Sequence, residues 1–324
     1  MTLILGEADV RGAVSLGRTV EVLRDGLRQE AAGEVQSVPR VNLGHDGQFF
    51  RLMPAVVGGL DLMGFKVFNG SAERGVRYLV GIIRASSGEL LTLMDASYLT
   101  AVRTGATTAL AVSLMSSRDH WSEVGVIGSG LEARTNLAAL ASVSTVDRAK
   151  VFSPRPERRQ KFADELSAEL GMPIEAVSSA AQAADAEVVL VATNTGAGTG
   201  VTALDHSWLR EDTLVASIGS TMPSLREIDE TIFGLADLVV LDTKDAIEES
   251  GDLLAAIQRD HWDPVGGQLL SHLAAHPVAG SSGLKVFKSV GTALQDILAA
   301  VAVFETAKRI GAGTEIEFLD LKLF

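Results

Sequence analysis

A lone arginine on an apolar helix is the first residue whose type could do chemistry. Arg103 lies in a helical stretch whose positions three and four residues away carry no acidic side chain. Its planar guanidinium could bind a carboxylate through two parallel hydrogen bonds, and a substrate could supply that carboxylate. The alternative is a structural ion pair with an acid from elsewhere in the chain, such as Asp61 or Asp95. The residue therefore marks either a substrate site or a structural bridge.

Two further cations interrupt strand patterns. Lys66 stands inside the apolar run 63–68, and Arg40 stands inside the run 38–42. A charged residue in such a strand lies at a sheet edge, in solvent, or facing a polar cleft. In a cleft, Lys66 could transfer a proton to or from a substrate.

A glycine turn forms the second candidate site. The apolar strand 123–127 runs into Gly128-Ser129-Gly130 and then into a helical pattern, with Ala133 completing G-x-G-x-x-A. In a dinucleotide-binding turn the first glycine permits the bend, the second admits the pyrophosphate to the helix N-terminus, and the third small residue packs helix on strand. A second strand, 148–153, follows at the spacing that this motif requires. The context therefore indicates a dinucleotide-binding turn.

The tip of that second strand bears on the choice of cofactor. NAD sites usually carry Asp or Glu there for the ribose 2′-hydroxyl. Here the tip reads Ser153-Pro-Arg155-Pro-Glu-Arg158-Arg159, which is rich in cations that suit a 2′-phosphate. The alternative is a solvated first helical turn, although cations there oppose the helix dipole. The sequence favours NADP(H), and NAD(H) is possible.

Composition limits the classes of partner. The 324 residues predict two domains, and 47% hydrophobic content allows a large core. A net charge of −13 argues against a nucleic-acid or anionic-membrane surface. Cysteine is absent, no apolar run approaches the ~18 residues of a membrane span, and charges at 7, 9 and 11 interrupt any signal peptide. We expect a cytoplasmic protein that binds small molecules and a second copy of itself.

The histidines do not indicate a metal site. His272 and His276 stand four residues apart on a possible helix face, but no glutamate follows the first as in a zinc protease. A solvated pair is the expected structure. We predict no bound metal.

The elements that must position these residues fall into two groups. A strand at 3–5 and a helix ending near Gly33 precede antiparallel strands at 38–43, 48–53, 62–68, 77–84 and 90–94. Asp95 is predicted to cap a long helix that ends near Met115. Beyond it, strands at 123–127, 148–153, 173–177, 187–192, 213–217 and 238–241 alternate with helices at 131–142, 155–170 and 178–184, and a last helix ends near Ile310.

This order predicts an α/β protein. Alternating strands and helices form a parallel sheet, so residues 119–304 are predicted to be a Rossmann-type domain. Residues 1–118, joined by 305–324 with a candidate return strand at 315–324, are predicted to form an α+β domain from both chain ends.

Several segments, taken in order, resemble the ornithine cyclodeaminase/μ-crystallin family over nearly the whole chain. They are Arg40, Met53-Pro54, the Lys66 strand, 99–106 with Arg103, the glycine turn, 217–229, 249–252, and 287–291 with Asp296. The resemblance implies a homodimer, an NAD(P)(H)-binding domain, a substrate-binding and dimerisation domain, and chemistry at an amino-acid C–N bond. It also implies that Arg40, Lys66 and Arg103 contact the substrate, the arginines through its carboxylate, and we place Met53 with them.

The cofactor is expected at the glycine turn and at the carboxyl ends of neighbouring strands. The residues that we assign to it are Gly128, Ser129, Gly130, Leu131, Ala133, Ser153, Arg155, Arg158, Thr193, Ser220, Ser289 and Gly291. The resemblance implies that 289–291 lie near the nicotinamide.

One departure from the family pattern separates two reactions. Ornithine cyclodeaminases carry an aspartate at the position of Thr221, where it is thought to handle the substrate amine and activate water. Threonine cannot act as a base at neutral pH. The segment 221–229 instead looks like the ketimine-reductase, μ-crystallin-like branch of the family.

The resemblance thus implies an NAD(P)H-dependent reductase of an α-imino acid, with hydride transferred to the C=N carbon. Arg103 and Arg40 would hold the carboxylate, Lys66 would supply a proton, and Thr221 would position the nitrogen. The alternatives are redox-neutral cyclodeamination with bound NAD+, an amino-acid dehydrogenase, and a non-catalytic NADP-binding protein. Iminosuccinate, iminopyruvate and a cyclic ketimine are all open as substrates.

Overall fold

The chain folds into two compact units. The computed structural model describes residues 1–71, 73–194, 201–277 and 282–317. Unit 1 comprises Met1–Arg103 with Thr292–Phe324, and unit 2 comprises Thr104–Gly291. These boundaries differ from the predicted 118 and 304, because the helix Ser97–Met115 runs through the first boundary and the whole helix Ala293–Ile310 belongs to unit 1.

The elements are numbered in chain order. The helices are α1 Glu7–Ala13, α2 Leu16–Ala31, α3 Ser97–Met115, α4 Leu131–Val143, α5 Pro156–Leu170, α6 Ala180–Ala184, α7 Thr231–Leu235, α8 Ala246–Glu249, α9 Gly251–Gln258, α10 Leu270–Ala275 and α11 Ala293–Ile310. The strands are β1 Thr2–Leu5, β2 Val35–Ser37, β3 Val41–His45, β4 Gln48–Val57, β5 Leu62–Ser71, β6 Gly75–Arg84, β7 Leu90–Asp95, β8 His120–Trp121, β9 Val124–Ile127, β10 Thr145–Val146, β11 Ala149–Phe152, β12 Ile174–Ala176, β13 Val188–Val191, β14 Leu214–Ser217, β15 Leu238–Leu241, β16 Gly267–Leu269, β17 Lys285–Lys288 and β18 Thr314–Ile316.

Unit 1 contains the predicted antiparallel sheet. Its described strands follow the order β18-β1-β7-β6-β5-β4-β2, with β3 also paired to β4, and β1 with β7 is its parallel pair. Asp46 and Gly47, both at positive φ, form the predicted hairpin turn between β3 and β4. The register places Met53 opposite Lys66. The α11 helix covers the Lys66 face of the sheet, since a Cβ added at Gly64 would lie 3.1 Å from Ile297.

Unit 2 contains the predicted parallel sheet. Its order is β12-β11-β9-β13-β14-β17-β15-β16 among the described residues, and each neighbouring pair runs parallel. The carboxyl ends of β9, β11, β13, β14 and β17 therefore share one edge, where ligands bind in such sheets. Helix α6 packs directly on β9, because a Cβ at Gly125 would lie 1.8 Å from the Ala183 carbonyl oxygen.

Several elements differ from the sequence prediction. The elements that were not predicted are helices α1 and α7 to α10 and strands β2, β8, β10, β16 and β17, and the return strand is β18, which pairs with β1. Residues 318–324 of the predicted return strand lie outside the described residues. No helix in the described ranges is long and apolar enough to cross a membrane, and the cytoplasmic location stays a prediction.

Candidate active site

Lys66 and Arg103 meet at one buried carboxylate in unit 1. The Lys66 Nζ donates to Asp296 Oδ1 at 2.8 Å, and the Arg103 Nε donates to the same oxygen at 2.9 Å. Asp296 has no exposed surface, and Lys66 is only 2% exposed. The two cations therefore lie in one cluster, although they come from β5 and α3.

The local sequence explains why Asp296 stands there. Thr292 caps α11 by accepting a hydrogen bond from the Gln295 N–H, so Asp296 falls in the first helical turn. The helix dipole favours a negative charge at that end. The Asp296 Oδ2 atom is buried and accepts no hydrogen bond within the described part of the chain.

Arg103 has a structural partner, but not one of the two that we named as alternatives. Its Nη1 donates to Gln295 Oε1 at 3.0 Å, beside the bond to Asp296. Asp61 instead accepts from the N–H and hydroxyl of Ser86, and Asp95 accepts from the Ser97 N–H. The carboxylate that pairs with Arg103 belongs to Asp296, 193 residues further along the chain, and local sequence spacing cannot identify so distant a partner.

Two cations pair with the same carboxylate in this cluster. Lys66 and Arg103 both form ion pairs with Asp296. A further anion beside two buried cations is stabilising, since removing cations from water is costly. A substrate with one carboxylate would supply that anion.

The other two predicted substrate residues lie on the same sheet. Met53 is buried and opposite Lys66 in the β4–β5 register. Arg40 is half-buried and directly precedes β3, which pairs with β4. Arg51, which we did not predict, lies two residues from Met53 with its guanidinium over the rings of Phe49 and Phe68. One face of the sheet thus carries apolar, aromatic and cationic side chains together.

In unit 2 the glycine turn has the shape that a pyrophosphate requires. Gly128 has φ of +121°, and a Cβ there would lie 2.2 Å from the Ala192 carbonyl oxygen, so only glycine fits. Gly130 is the N-cap of α4, with no side-chain cap and no described heavy atom within 4 Å of an added Cβ. No described side chain caps this helix N-terminus, which is where a pyrophosphate binds in turns of this kind. Ala133 is buried against the turn, whereas Leu131 is exposed.

The tip of β11 carries the predicted ribose residues. Ser129 Oγ donates to Ser153 Oγ at 2.9 Å, which links the glycine turn to the tip. Arg155 is the N-cap of α5, and both Arg155 and Arg158 are exposed and form no ion pair with any residue in the described ranges. Arg159, in contrast, donates to the Ser153 carbonyl. These residues fit an NAD(P) adenosine ribose, with two arginines available to a phosphate.

The remaining predicted residues of unit 2 line the same sheet edge. Thr193 follows β13, and half-buried Thr221 follows β14. Ser220 and Ser289 are buried, and their hydroxyls donate inside the protein, Ser220 to the Leu225 carbonyl and Ser289 to Asp242 Oδ2. The Gly291 N–H also donates to Asp242 Oδ2, at 2.7 Å. The backbone N–H groups of Gly219, Thr221 and residues 289–291 also donate inside the protein, so both loops are held firmly at this sheet edge.

Sequence reasoning assigned no role to the buried acids that hold these loops. Asp242 binds the 289–291 segment, while Glu227 and Asp252 lie with Lys288 beneath the loop after β14. The signal available in the sequence was weak: Asp242 and Asp252 stand next to apolar runs, and Glu227 lies between Arg226 and Ile228. The groups that bond these three carboxylates are 8 to 49 residues away, so no short repeating pattern connects them.

One acidic group with metal-ligand geometry has a structural explanation. Asp205, His206 and Asp229 lie within 4.8 Å of one another. Asp205 accepts from the Ser207 N–H and Asp229 from the Thr231 N–H, so both carboxylates serve as turn and helix caps. His206 Nδ1 bonds Asp229, which raises the pKa of the imidazole. The exposed pair His272 and His276 is solvated as expected.

Comparison with known proteins agrees with this arrangement of two units. A model of the ornithine cyclodeaminase/mu-crystallin family matches residues 1–311. The delta(1)-pyrroline-2-carboxylate reductase of Bacillus cereus is 28% identical over 330 residues, covering 98% of this chain and 100% of that one.

Two solved structures are similar throughout. The Thermococcus litoralis delta(1)-pyrroline-2-carboxylate reductase in complex with NADH and L-proline has a TM-score of 0.90 at 26% identity, covering 97% of this chain and 100% of that one. An archaeal alanine dehydrogenase dimer with bound NAD has a TM-score of 0.89 at 26% identity, covering 98% and 99%. The chain belongs to the ornithine cyclodeaminase/μ-crystallin family.

Proposed function

We propose that this protein is an NAD(P)H-dependent reductase that converts an α-imino acid to an α-amino acid. The observation that carries the proposal is the buried cluster in which Lys66 and Arg103 share one oxygen of Asp296. It pairs a proton donor with a carboxylate-binding cation, and the same chain carries a dinucleotide turn at Gly128. The similar reductases from Bacillus and Thermococcus act on a cyclic imino acid by their names, which supports the same reaction class.

Different residues of this chain bind the substrate and transfer the proton in that reaction. A bound NAD(P)H supplies the hydride that the imine carbon accepts. Arg103 and Arg40 hold the substrate carboxylate through charged hydrogen bonds. Lys66 donates the proton that the imine nitrogen gains as the C=N bond is reduced, and Asp296 orients the ammonium and balances its charge. The neutral imine carbon and nitrogen thus gain one hydride and one proton, giving the amine.

Thr221 separates this reaction from cyclodeamination. A hydroxyl can donate or accept a hydrogen bond at the substrate nitrogen, but it cannot remove a proton from water or an amine at neutral pH. The second candidate function is an amino-acid dehydrogenase. Such an enzyme transfers a hydride from the amino-acid Cα to NAD(P)+ and then hydrolyses the imine that forms. The similarity to the archaeal alanine dehydrogenase favours keeping this second candidate.

The function is tested with a substrate panel. We expect NAD(P)H absorbance to fall with at least one of three mixtures: preformed cyclic imino acids, 2-oxo acids with ammonia, or 2-oxo acids with methylamine. Ornithine with catalytic NAD+ should release no ammonia. Steady ammonia release from ornithine, with no imine reduced, would assign cyclodeamination instead.

We further propose that the protein prefers NADPH to NADH. The two similar structures hold NADH or NAD, so the preference rests on Arg155 and Arg158 at the β11 tip, where no acid occupies the ribose position. Arg155→Ala should weaken NADPH binding about tenfold, the lower range for a lost charged hydrogen bond at an exposed site, and leave NADH binding nearly unchanged. The measurement is the dissociation constant of each cofactor, obtained from its fluorescence, for the parent protein and the variant. Equal NADH and NADPH affinities in the parent protein would refute the preference.

We also propose a homodimer formed through the outer sheet face of unit 1. This face, opposite Lys66, carries Val41, Leu43, Phe50 and Leu79, each 40–61% exposed. Such contiguous apolar surface indicates a protein interface, and a similar alanine dehydrogenase is described as a dimer.

Light scattering tests the dimer. The parent should have twice the 34.0 kDa chain mass, and Leu79→Glu should shift it toward one chain mass. Val76→Glu is the matched control, because Val76 lies on β6 with 39% exposure but on the opposite face. A monomeric parent would exclude this interface.

A further inference from the structure

A single buried carboxylate joins the two loops at the centre of the unit 2 sheet edge. Glu227 Oε2 accepts from the Thr193 N–H at 3.0 Å and from the Thr193 hydroxyl at 3.1 Å. Its Oε1 accepts from the Gly219 N–H at 2.6 Å and from the Ser217 hydroxyl at 2.8 Å. One side chain thus receives two hydrogen bonds from the end of β14 and two from the loop that follows β13.

The two loops are in direct contact at this carboxylate. A Cβ at Gly219 would lie 1.9 Å from the Thr193 carbonyl oxygen and 2.4 Å from Glu227 Oε2. The two backbones come this close because residue 219 has no side chain, and Glu227 joins them through its four hydrogen bonds. A shift of Glu227 would shift Gly219 with it.

The charges around Glu227 are arranged to keep it in place. Lys288, fully buried at the end of β17, donates to the Ser217 hydroxyl at 2.9 Å and lies 3.8 Å from Glu227 Oε1 and 3.5 Å from Asp252 Oδ2. Asp252 in turn accepts from the Glu227 N–H at 2.9 Å. Burial raises the pKa of Glu227, and the nearby Lys288 ammonium opposes that rise.

A buried network of charged groups adds little to the free energy of unfolding. Charges removed from water are often no better than well-packed apolar side chains of the same volume. Three fully buried charged groups at a ligand-binding sheet edge therefore indicate a requirement for geometry. The group whose position depends on them is the loop 218–221, because Thr221 N–H bonds the Gly219 carbonyl at 3.1 Å.

We propose that Glu227 is a positioning residue that fixes the loop after β14 against Thr193 and so places Thr221 for the reaction. It does not touch the substrate. Its catalytic consequence rests on the proposed imine reduction, whereas its structural consequence, the locking of two loops, does not.

The test is Glu227→Gln, which keeps the volume but turns one acceptor oxygen into a donor. Either the Thr193 pair or the Gly219 and Ser217 pair then loses its acceptor. We expect faster amide hydrogen exchange at Thr193 and Gly219 in the cofactor-free protein. We expect kcat to fall about 10²-fold, as for a misplacement of about 1 Å, with KM and the NADPH dissociation constant changed less than about threefold.

Two further variants provide a matched control and a replacement for Glu227→Gln. Glu230→Gln makes the same chemical change at a buried acid that bonds Arg226 and Arg259 instead of the two loops, and should leave kcat and both exchange rates at parental values. If Glu227→Gln does not fold, Ser217→Ala replaces it and should raise exchange at Gly219. Parental exchange at Thr193 and Gly219 in the folded variant would overturn the proposal. If the parent reduces no imine, the exchange result still decides the loop-locking claim.

Discussion

Replacing Lys66 with methionine is expected to lower kcat by roughly 10²- to 10⁴-fold, the usual contribution of a positioned proton donor. Methionine keeps the length and apolar stem of lysine but has no proton to give the imine nitrogen. Arg103 still bonds Asp296, so that carboxylate is not left without a partner. The NADPH dissociation constant should stay at the parental value, because Lys66 is not among the residues assigned to the cofactor.

Two comparisons show whether the Lys66 effect is chemical. Lys285→Met removes another buried strand lysine, 8% exposed, and should leave kcat unchanged. Arg103→Lys keeps the charge but loses the guanidinium fork, so substrate affinity should fall about 10- to 150-fold, which corresponds to the roughly 1.5–3 kcal/mol of one charged hydrogen bond. A Lys66→Met enzyme of near-parental kcat would remove Lys66 from the mechanism.

Asp296→Asn is expected to produce the second large effect, a fall in kcat of roughly 10²- to 10³-fold with KM unchanged or lower. The amide oxygen can still accept from Lys66 and Arg103, but the negative charge that balances them is lost. The cluster then has one negative charge fewer, which should favour the substrate carboxylate while withdrawing the charged partner that orients the Lys66 ammonium.

A second variant on the same helix provides the control, and both variants are compared by steady-state kinetics. Glu305→Gln changes an exposed acid of α11 in the same chemical way and should have parental kcat and KM. If Asp296→Asn raised KM and spared kcat, Asp296 would serve substrate binding and not proton transfer.

The sequence was sufficient to predict most elements because their patterns are local. Alternating polarity with a turn at 44–47 predicted the β3–β4 hairpin, and the spacing of Gly128, Gly130 and Ala133 predicted the strand-turn-helix of β9 and α4. Helix α1 was missed because seven residues with charges at 7, 9 and 11 present too short an apolar pattern.

The side-chain partners could not be predicted, because they depend on how distant elements pack. Lys66 bonds an acid 230 residues away, and Lys288 bonds a serine 71 residues away. A lone cation in an apolar segment shows that a partner must exist, but the identity of that partner is set by helix packing on a sheet. For this reason Asp61 and Asp95 were named for Arg103, whereas α11 supplies Asp296.

The most direct test of the proposed function follows one hydrogen atom. NADPH carrying deuterium at both C4 positions is incubated with the enzyme and the imino acid that the panel identifies, and the product is examined by mass spectrometry and proton NMR. Hydride transfer to the C=N carbon predicts one deuterium at Cα for each NADPH oxidised. An unlabelled Cα, or a product formed without net loss of NADPH, would contradict imine reduction.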